Sequence, residues 1–235
     1  MGRMMLTTSE VSGLVGVPET ALPSDVAAAL PTSTPGAPWH VQMSALLWRH
    51  RARPEAAVAL PPPLAAKPKG LTNAGFVRYT ESPVGAYSEV MAAPVSVRGG
   101  VLPRVHVPFI AVDSLPSVHA GRTHWALPKV MASFDWAAAA DAVRAEGDGW
   151  WLSARVVHTG PRIPLFGRST NAQVRPDGRV GLSSTGMRGW ARVVTLDVAM
   201  DPSASFAAWL MPGRHRGVLV TRARLSMGAA RWSAY

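Results

Sequence analysis

The chain has 235 residues, with 24 lysines and arginines against 14 aspartates and glutamates, a net charge of +10, and no cysteine. Without cysteine, disulfides and thiolate metal sites are excluded, and no apolar run approaches the roughly 20 residues that a membrane-spanning helix needs. The first residues, MGRMMLTTSEV, lack the apolar segment of a secretory signal, so we expect a soluble cytoplasmic protein.

The positive charge raises the question of a nucleic-acid partner, because strongly basic domains often bind DNA or RNA. The pI is near 11.3. However, the arginines are spread along the sequence, and the densest cluster is RHRAR at Arg49–Arg53. Only 16% of the residues are charged, so the excess reflects scarce aspartate and glutamate as much as abundant arginine. We therefore expect neither a nucleic-acid nor a membrane partner.

Residues 1–38 are rich in alanine, proline, threonine and serine and end in TSTPGAP. This composition predicts an N-terminal arm with one short helix around Asp25–Leu30. Residues 39–235 form the second predicted unit, because from Trp39 onward the chain has the pattern of strands separated by turns. Its first strands are predicted at Gln42–His50, Gly75–Thr80, Ala86–Arg98 and Arg104–Val112, with a short helical stretch at Pro54–Leu60 before the loop PPPLAAKPKG.

A helical turn is predicted at Ser114–His119, with Ser114 as its N-cap and Gly121 as its C-terminal stop. Lys129, Met131 and Ser133 then alternate as on one face of a strand. The later elements are strands at Trp150–Val157, Gly189–Val198 and Gly217–Met227, hairpin turns at Gly147–Gly149 and Pro176–Gly178, and a helix at Ser203–Met211. Many short strands and few helices indicate a mainly β, α+β domain built on an antiparallel, barrel-like sheet.

Lysine is scarce, and one of the three lysines has unusual neighbours. Lys67 and Lys69 lie in a stretch flanked by Pro and Gly that is typical of a solvated loop, whereas Lys129 lies in HWALPKVMASFDW, which is apolar on both sides. A lysine in such a place either extends its amine to water or loses its charge, because burial disfavours the ammonium form and lowers the pKa. A neutral amine is a nucleophile that condenses with ketones.

The residues around Lys129 form an ordered set of motifs. GAYSEV at Gly85–Val90 precedes VDSLPSVHAGRTHWALPK at Val112–Lys129, and an apolar strand follows. This order and spacing resemble the acetoacetate decarboxylase family from Gly85 to Trp136, with weaker similarity elsewhere in the chain. The resemblance implies that family's β-rich fold and, because its members assemble, a homo-oligomer.

Two site residues follow from the resemblance. Lys129 matches the lysine that forms the Schiff base, and Glu89 matches a glutamate that lines the family's pocket. Imine formation needs an unprotonated amine and a group that moves protons while the carbinolamine collapses. The iminium then accepts the electron pair of a departing carboxylate or stabilises an enamine. The resemblance therefore implies a Schiff-base lyase for a keto acid or ketone that needs no cofactor.

The chain departs from the family pattern at three places. Where the decarboxylases have a second lysine after the catalytic one, this chain has Val130, so mainly desolvation, with no adjacent ammonium group, would have to lower the pKa of Lys129. A substrate-binding arginine before the first strand has no counterpart in Trp39–Gln42, and a second pocket glutamate has none in Phe76–Tyr79. These departures leave decarboxylation, aldol addition with dehydration, and cyclisation all open.

Five further residues are candidates for contact with the substrate: Tyr87, Arg122, His124, Trp125 and His40. Tyr87 either lines the pocket or packs in the sheet, and Trp125 either shapes the pocket or belongs to the core. Arg122 contacts substrate, caps the helix or pairs with Asp113. The histidines show no metal-ligand spacing, so no metal is expected.

Two hypotheses from different classes follow. The first is an imine-forming enzyme with Lys129 as nucleophile and Glu89 as proton shuttle. The second keeps the fold without the catalysis, as a basic protein that binds an anionic metabolite or polyanion; the net charge of +10 and the missing arginine, lysine and glutamate motivate it. Binding that weakens as salt rises would favour the second hypothesis.

Overall fold

A computed structural model describes residues 8–64, 70–96 and 104–233 of the protein. The described strands form one twelve-stranded sheet. They are β1 (Trp39–Arg51), β2 (Leu71–Glu81), β3 (Tyr87–Ser96), β4 (Arg104–Val105), β5 (Phe109–Val112), β6 (Val130–Met131), β7 (Ser133–Trp136), β8 (Ala142–Gly147), β9 (Trp150–Val174), β10 (Val180–Met200), β11 (Gly213–Met227) and β12 (Arg231–Ser233). The loop predicted at Lys67 and Lys69 lies outside the described residues.

The strand order is β12-β10-β11-β1-β2-β3-β4-β9-β8-β7, with a further pairing of β10 with β9. Off this path, β5 pairs with β3 and β6. The β4–β9 and β5–β6 pairs are parallel, and the other pairs between described strands are antiparallel. The predicted mainly β fold with a few short helices is confirmed. The sheet differs from the prediction in two details, because it is mixed and is not closed into a barrel.

Turn residues explain several of the strand boundaries. Gly149 between β8 and β9, and Gly178 between β9 and β10, have φ values of 70° and 80°, which glycine adopts without a Cβ penalty. Both predicted hairpin turns are thus confirmed, and β9 and β10 run far beyond the bounds predicted for the strands at Trp150–Val157 and Gly189–Val198. The strand predicted at Arg104–Val112 is instead two strands, β4 and β5. They are separated at Pro108, which has no N–H to donate to a neighbouring strand.

The helical elements are short. They are α1 (Thr8–Ser12), α2 (Ser24–Ala28), α3 (Leu115–Trp125) and 3₁₀ turns at Pro18–Thr20, Pro54–Ala59, Pro62–Leu64 and Ser205–Ala208. The helices predicted around Asp25 and at Pro54 are confirmed. None of the described helices is long and apolar enough to cross a membrane.

Two helix predictions are wrong in extent. Ser114 does cap α3 by accepting a hydrogen bond from the Ser117 N–H, but Gly121 does not end it. The helix continues to Trp125 and ends at Ala126, whose φ of 53° breaks the helical path. The predicted helix at Ser203–Met211 is a single 3₁₀ turn, because the Asp201 carboxylate binds the Ser203 N–H and hydroxyl and favours a turn instead.

The alternating directions of the side chains along β3 show on which face of the sheet the candidate site lies. Val90 and Ala92 belong to one apolar cluster. Ala93 belongs to a second apolar cluster, and Met91 packs against that second cluster. Since alternate residues of a strand share a face, Glu89 points toward the second cluster. Helix α3 also packs on that cluster, so the helix and the Glu89 side chain lie on the same side.

The N-terminal arm packs against the domain. The Val17 N–H donates to the Pro108 carbonyl over 3.1 Å, and a Cβ at Gly16 would come within 2.0 Å of the same oxygen, so the approach requires glycine. The Glu19 carboxylate accepts hydrogen bonds from the N–H and hydroxyl of Ser205. Strand β1 begins at Trp39, and the division of the chain into an arm of 1–38 and a domain of 39–235 stays a prediction.

Candidate active site

Strand pairing brings Glu89 and Lys129 together although they are far apart in sequence. Glu89 of β3 lies opposite Val112 of β5, and Val112 lies beside Met131 of β6. Lys129 directly precedes β6, in the short connection from α3. Three adjacent strands therefore place the lysine beside the glutamate, with α3 covering both.

The two side chains form a buried ion pair. The Lys129 Nζ donates to the Glu89 Oε2 over 2.7 Å and to the Ser117 Oγ over 3.0 Å. Lys129 and Glu89 are 5% and 6% exposed, and Ser117 is fully buried. Among the described residues, Glu89 forms an ion pair with Lys129 alone. The predicted nucleophile and the predicted proton shuttle are thus in direct contact.

Two tyrosines complete the surroundings of the pair. The Tyr79 hydroxyl donates to the Glu89 Oε1 over 3.1 Å, and the Lys129 Nζ lies 5.2 Å from the centre of the Tyr87 ring. Burial raises the pKa of Tyr79 well above its usual range, and the Glu89 charge raises it further. Burial also raises the pKa of Tyr87, although Lys129 partly opposes this. Both hydroxyls are therefore protonated donors at neutral pH.

Tyr79 is a site residue that the sequence interpretation missed. It lies directly opposite Tyr87 in the β2–β3 hairpin, and the two ring centres are 4.5 Å apart. The hairpin turn contains Ser82 and Gly85, which has a φ of 89°. Fixing the hairpin register from that turn would have placed Tyr79 across from Tyr87 and hence on the Glu89 face.

The charge state of Lys129 differs from the prediction. Burial lowers the pKa of the amine, but the negative charge of Glu89 and the neighbouring Tyr87 raise it, and the net result is a pKa above the usual range of lysine. The expectation that desolvation would leave the amine uncharged is therefore wrong for the resting protein. The amine is an ammonium group that needs a proton acceptor before it can attack a carbonyl.

Gly121 makes room for the lysine stem. A Cβ at Gly121 would lie 2.5 Å from the Lys129 Cδ and 2.9 Å from its Cε. Ser117 and Gly121 are one helical turn apart on α3, so the same helix face supplies a hydrogen bond to the amine and a groove for its methylenes. Glycine is thus required at position 121 because a Cβ would collide with the Lys129 side chain, and not because of the backbone conformation of Gly121 itself.

We expect the substitution Gly121→Ala to displace Lys129 from Glu89. Crowding at a buried position costs about 1–3 kcal/mol, and a displacement of about 1 Å at a reacting group can lower a rate about 100-fold. Thermal unfolding and the rate at which a ketone is captured by Lys129 measure the two effects. Gly167→Ala is the matched control, because its Cβ would meet only the Met187 Cε at 3.9 Å. Equal capture rates in the two variants would contradict this packing argument.

The other predicted site residues lie elsewhere. Trp125 belongs to the core, where its Nε1 donates to the Gly228 carbonyl over 2.8 Å. The His124 Nε2 lies 3.4 Å from the Thr34 Oγ1 of the arm. His40 is exposed on β1. Of the five residues predicted to contact the substrate, only Tyr87 has its side chain beside the Lys129–Glu89 ion pair.

Arg122 is fully buried, and the hydrogen-bond partners of its side chain are backbone oxygens. Its guanidinium group donates to four backbone carbonyls, those of Val11, Leu14, Thr20 and Lys129. Pairing of Arg122 with Asp113 was one of the expected roles, and it is wrong. The Asp113 carboxylate instead accepts the Ser88 N–H over 2.7 Å.

The sequence profile of the family described as acetoacetate decarboxylase (ADC) matches residues 21–164. This match spans more than half of the chain and includes both residues of the ion pair. The chain belongs to the acetoacetate decarboxylase family. No curated protein matches the chain in sequence.

Solved structures of acetoacetate decarboxylases and of a biosynthetic enzyme share the fold. An acetoacetate decarboxylase structure superposes with a TM-score of 0.60 at 13% identity, covering 97% of this chain and 98% of that one. The acetoacetate decarboxylase of Legionella pneumophila gives 0.56 at 12% identity over 100% and 98%. The enduracididine biosynthesis enzyme MppR in complex with pyruvate gives 0.56 at 16% identity over 84% and 91%. At these identities the likeness establishes the fold alone.

Proposed function

We propose that the protein is a Schiff-base-forming lyase that acts on a keto acid or ketone through Lys129. The observation that carries the proposal is the buried 2.7 Å contact between the Lys129 Nζ and the Glu89 Oε2, with Ser117 and Tyr79 fixing its two ends. Membership of a family whose solved structures include enzymes supports it. No metal or organic cofactor enters the proposed chemistry.

The ion pair provides the proton transfer that imine formation requires. As the carbonyl arrives, Glu89 accepts a proton from the Lys129 ammonium along their hydrogen bond, and the neutral amine attacks the carbonyl carbon. The carbonyl π electrons move to the oxygen, which takes a second proton from the now positively charged nitrogen and becomes the carbinolamine hydroxyl. Glu89 then returns its proton to this hydroxyl, which leaves as water while the nitrogen lone pair forms the C=N bond. The Ser117 hydroxyl holds the nitrogen in place during these transfers.

The iminium nitrogen then serves as the electron sink. In a β-keto acid, the bond to the carboxylate breaks, its electron pair moves toward nitrogen to form an enamine, and carbon dioxide leaves. In a pyruvate-like substrate, loss of a proton from the adjacent carbon gives an enamine that adds to an aldehyde. The structures of MppR with pyruvate, and with the condensation product of pyruvate and imidazole 4-carboxaldehyde, support including this second route in the proposal.

Reductive trapping tests the proposed function. The protein is incubated with acetoacetate, pyruvate and a set of larger keto acids, borohydride is added, and the intact mass is measured. We expect each chain to gain the mass of one bound ketone less one oxygen atom, because water leaves and reduction adds two hydrogens, and we expect a protease digest to place this gain on the peptide that contains Lys129. Carbon dioxide release in unreduced samples separates decarboxylation from condensation. Absence of a stable adduct with every keto acid and ketone would contradict the proposal.

A second candidate function rests on a surface that sequence reasoning overlooked. Exposed arginines from three neighbouring strands share one face of the sheet, because cross-strand partners lie on the same side. Arg188 of β10 lies opposite Arg224 of β11, and Arg192 of β10 lies opposite Arg162 of β9. Arginines that are spread along the sequence are thus brought side by side by strand pairing.

Aromatic side chains accompany these arginines. Trp190 is 47% exposed and Phe166 is 78% exposed, and Arg162 lies over the Trp190 ring at 4.3 Å. We call the face formed by Arg162, Phe166, Arg188, Trp190, Arg192, Arg222 and Arg224 the arginine face. Among the described residues, none of its arginines forms an ion pair. A surface of unpaired arginines and exposed rings suits a flexible polyanion such as a single-stranded nucleic acid.

Fluorescence anisotropy with a labelled single-stranded oligonucleotide tests this second function. We expect binding that weakens as salt rises and that is reduced in the triple variant Arg162→Gln, Arg188→Gln, Arg192→Gln. The logarithmic salt slope should fall by about 0.7 for each phosphate that the variant no longer neutralises. Arg49→Gln, Arg51→Gln, Arg53→Gln is the control with the same net charge. Equal affinities for the two triple variants would rule out the arginine face as the binding surface.

A further inference from the structure

The burial of the positively charged Arg122 side chain needs a physical explanation. Its side chain is fully buried, and among the described residues no carboxylate lies within ion-pair distance of it. Burial lowers its pKa to about 10. Placing a cation in the interior without a counter-ion is costly, and the four carbonyl dipoles that it meets offset this cost only in part.

The carbonyls that Arg122 binds belong to two separate parts of the chain. Its Nε donates to the Lys129 carbonyl over 2.6 Å. Its two terminal nitrogens donate to Val11 and Leu14 over 2.9 Å and to Thr20 over 2.8 Å. One side chain thus ties the backbone of the reactive lysine to three points of the N-terminal arm.

The arm also supports the connection that carries Lys129. Val11 and Leu14 are buried and form an apolar cluster with Ala126, the residue at which α3 ends. Lys129 follows three residues later, and its N–H donates to the Leu127 carbonyl over 2.8 Å. The arm therefore contacts the start of this connection through apolar packing and its end through Arg122.

We propose that Arg122 is a positioning residue for the lysine site, and that the docked N-terminal arm is a structural part of that site. The inference rests on the proposed function, since it concerns how Lys129 is held against Glu89. Arg122 fixes the lysine backbone at its carbonyl, whereas Glu89 and Ser117 hold the amine at the other end of the residue. With the backbone fixed, the amine keeps its place between Glu89 and Ser117 when the carbonyl arrives.

Two variants of the full chain test the proposal. Arg122→Gln removes most of the hydrogen-bond donors of this side chain and introduces no new lysine amine that could react with the ketone. Leu14→Ala leaves Arg122 intact and loosens the arm through the cluster with Ala126, so it keeps the test open if Arg122→Gln folds poorly. Arg53→Gln is the control, because the Arg53 side chain is 43% exposed and, among the described residues, forms an ion pair only with Glu55. Each variant is checked for cooperative thermal unfolding before use.

Two readouts separate positioning from general stability. We expect the rate of reductive trapping to fall at least about tenfold in both variants, and the pKa of Lys129 to move down toward the ordinary lysine value as the contact with Glu89 loosens. A folded Leu14→Ala protein with the wild-type trapping rate and the wild-type Lys129 titration would overturn the proposal. If the wild-type protein traps no ketone, the proposed function fails, and the Lys129 titration alone still decides the positioning role.

Discussion

Replacing Lys129 by methionine is expected to reduce turnover and reductive trapping to the background rate. The substitution removes the only amine in contact with Glu89 among the described residues while preserving much of the apolar stem. Lys67→Met is the matched control, because it removes one of the other two lysines of the sequence. Turnover of a keto acid by Lys129→Met at a rate near that of the control would contradict imine catalysis at this residue.

The same substitution carries a stability prediction with a defined pH dependence. Removing one partner of a buried ion pair costs about 3–5 kcal/mol. Because the pKa of Lys129 is raised in the folded protein, its contribution is complete below the unfolded value of about 10.4 and is lost as the pH rises through the folded value. Denaturant unfolding of wild type and Lys129→Met should show a constant gap around neutral pH that narrows only in strongly alkaline solution.

Replacing Glu89 by glutamine is expected to uncouple the reactivity of the lysine from turnover. Burial lowers the pKa of Lys129, and Glu89 is the strongest opposing influence. Without that charge the amine loses its proton at lower pH and attacks a ketone more readily. Turnover should nevertheless fall by about 10²–10⁴-fold, because the group that transfers protons to and from the carbinolamine is absent.

The pH dependence of trapping and the steady-state rate together check this expectation. Glu81→Gln is the matched control, since Glu81 lies on the adjacent strand β2 but is exposed and binds Gln42. A Glu89→Gln protein with unchanged turnover would remove Glu89 from the mechanism. A Lys129 pKa that stays raised in that variant would show that another group sets the charge of the amine.

The apolar neighbourhood of Lys129 and the family resemblance were sufficient to select Lys129 and Glu89 as site residues, but they did not predict that the two form an ion pair. Lys129 lies among apolar residues, and Glu89 lies in an alternating strand within the Gly-x-Tyr-x-Glu element that the family shares. The structure brings them to 2.7 Å through β5, which pairs with β3, the strand of Glu89, and with β6, the strand that directly follows Lys129. What sequence reasoning missed was the consequence of that contact, because the sign of a pKa shift depends on a distance that no linear pattern encodes.

The remaining differences have the same origin in tertiary contacts. Tyr79 belongs to the site because the register of the β2–β3 hairpin places it opposite Tyr87. The Arg122 side chain does not line the ion pair, because it binds backbone carbonyls of the arm. Gly121 was interpreted as a helix stop from its residue type, whereas the structure uses its missing side chain to accommodate the Lys129 stem. The arginine face arises from pairing between β9, β10 and β11, which places residues distant in sequence side by side.

The scarcity of lysine allows the central claim to be tested directly. With ¹³C-labelled lysine, the protein gives only three side-chain Cε signals, from Lys67, Lys69 and Lys129, and the signal absent in Lys129→Met is assigned to the site. We predict that this signal titrates at a higher pH than an ordinary lysine in the free protein. On addition of a keto acid substrate, it alone should convert to an imine. Three signals that titrate alike, and that no keto acid or ketone alters, would contradict the account.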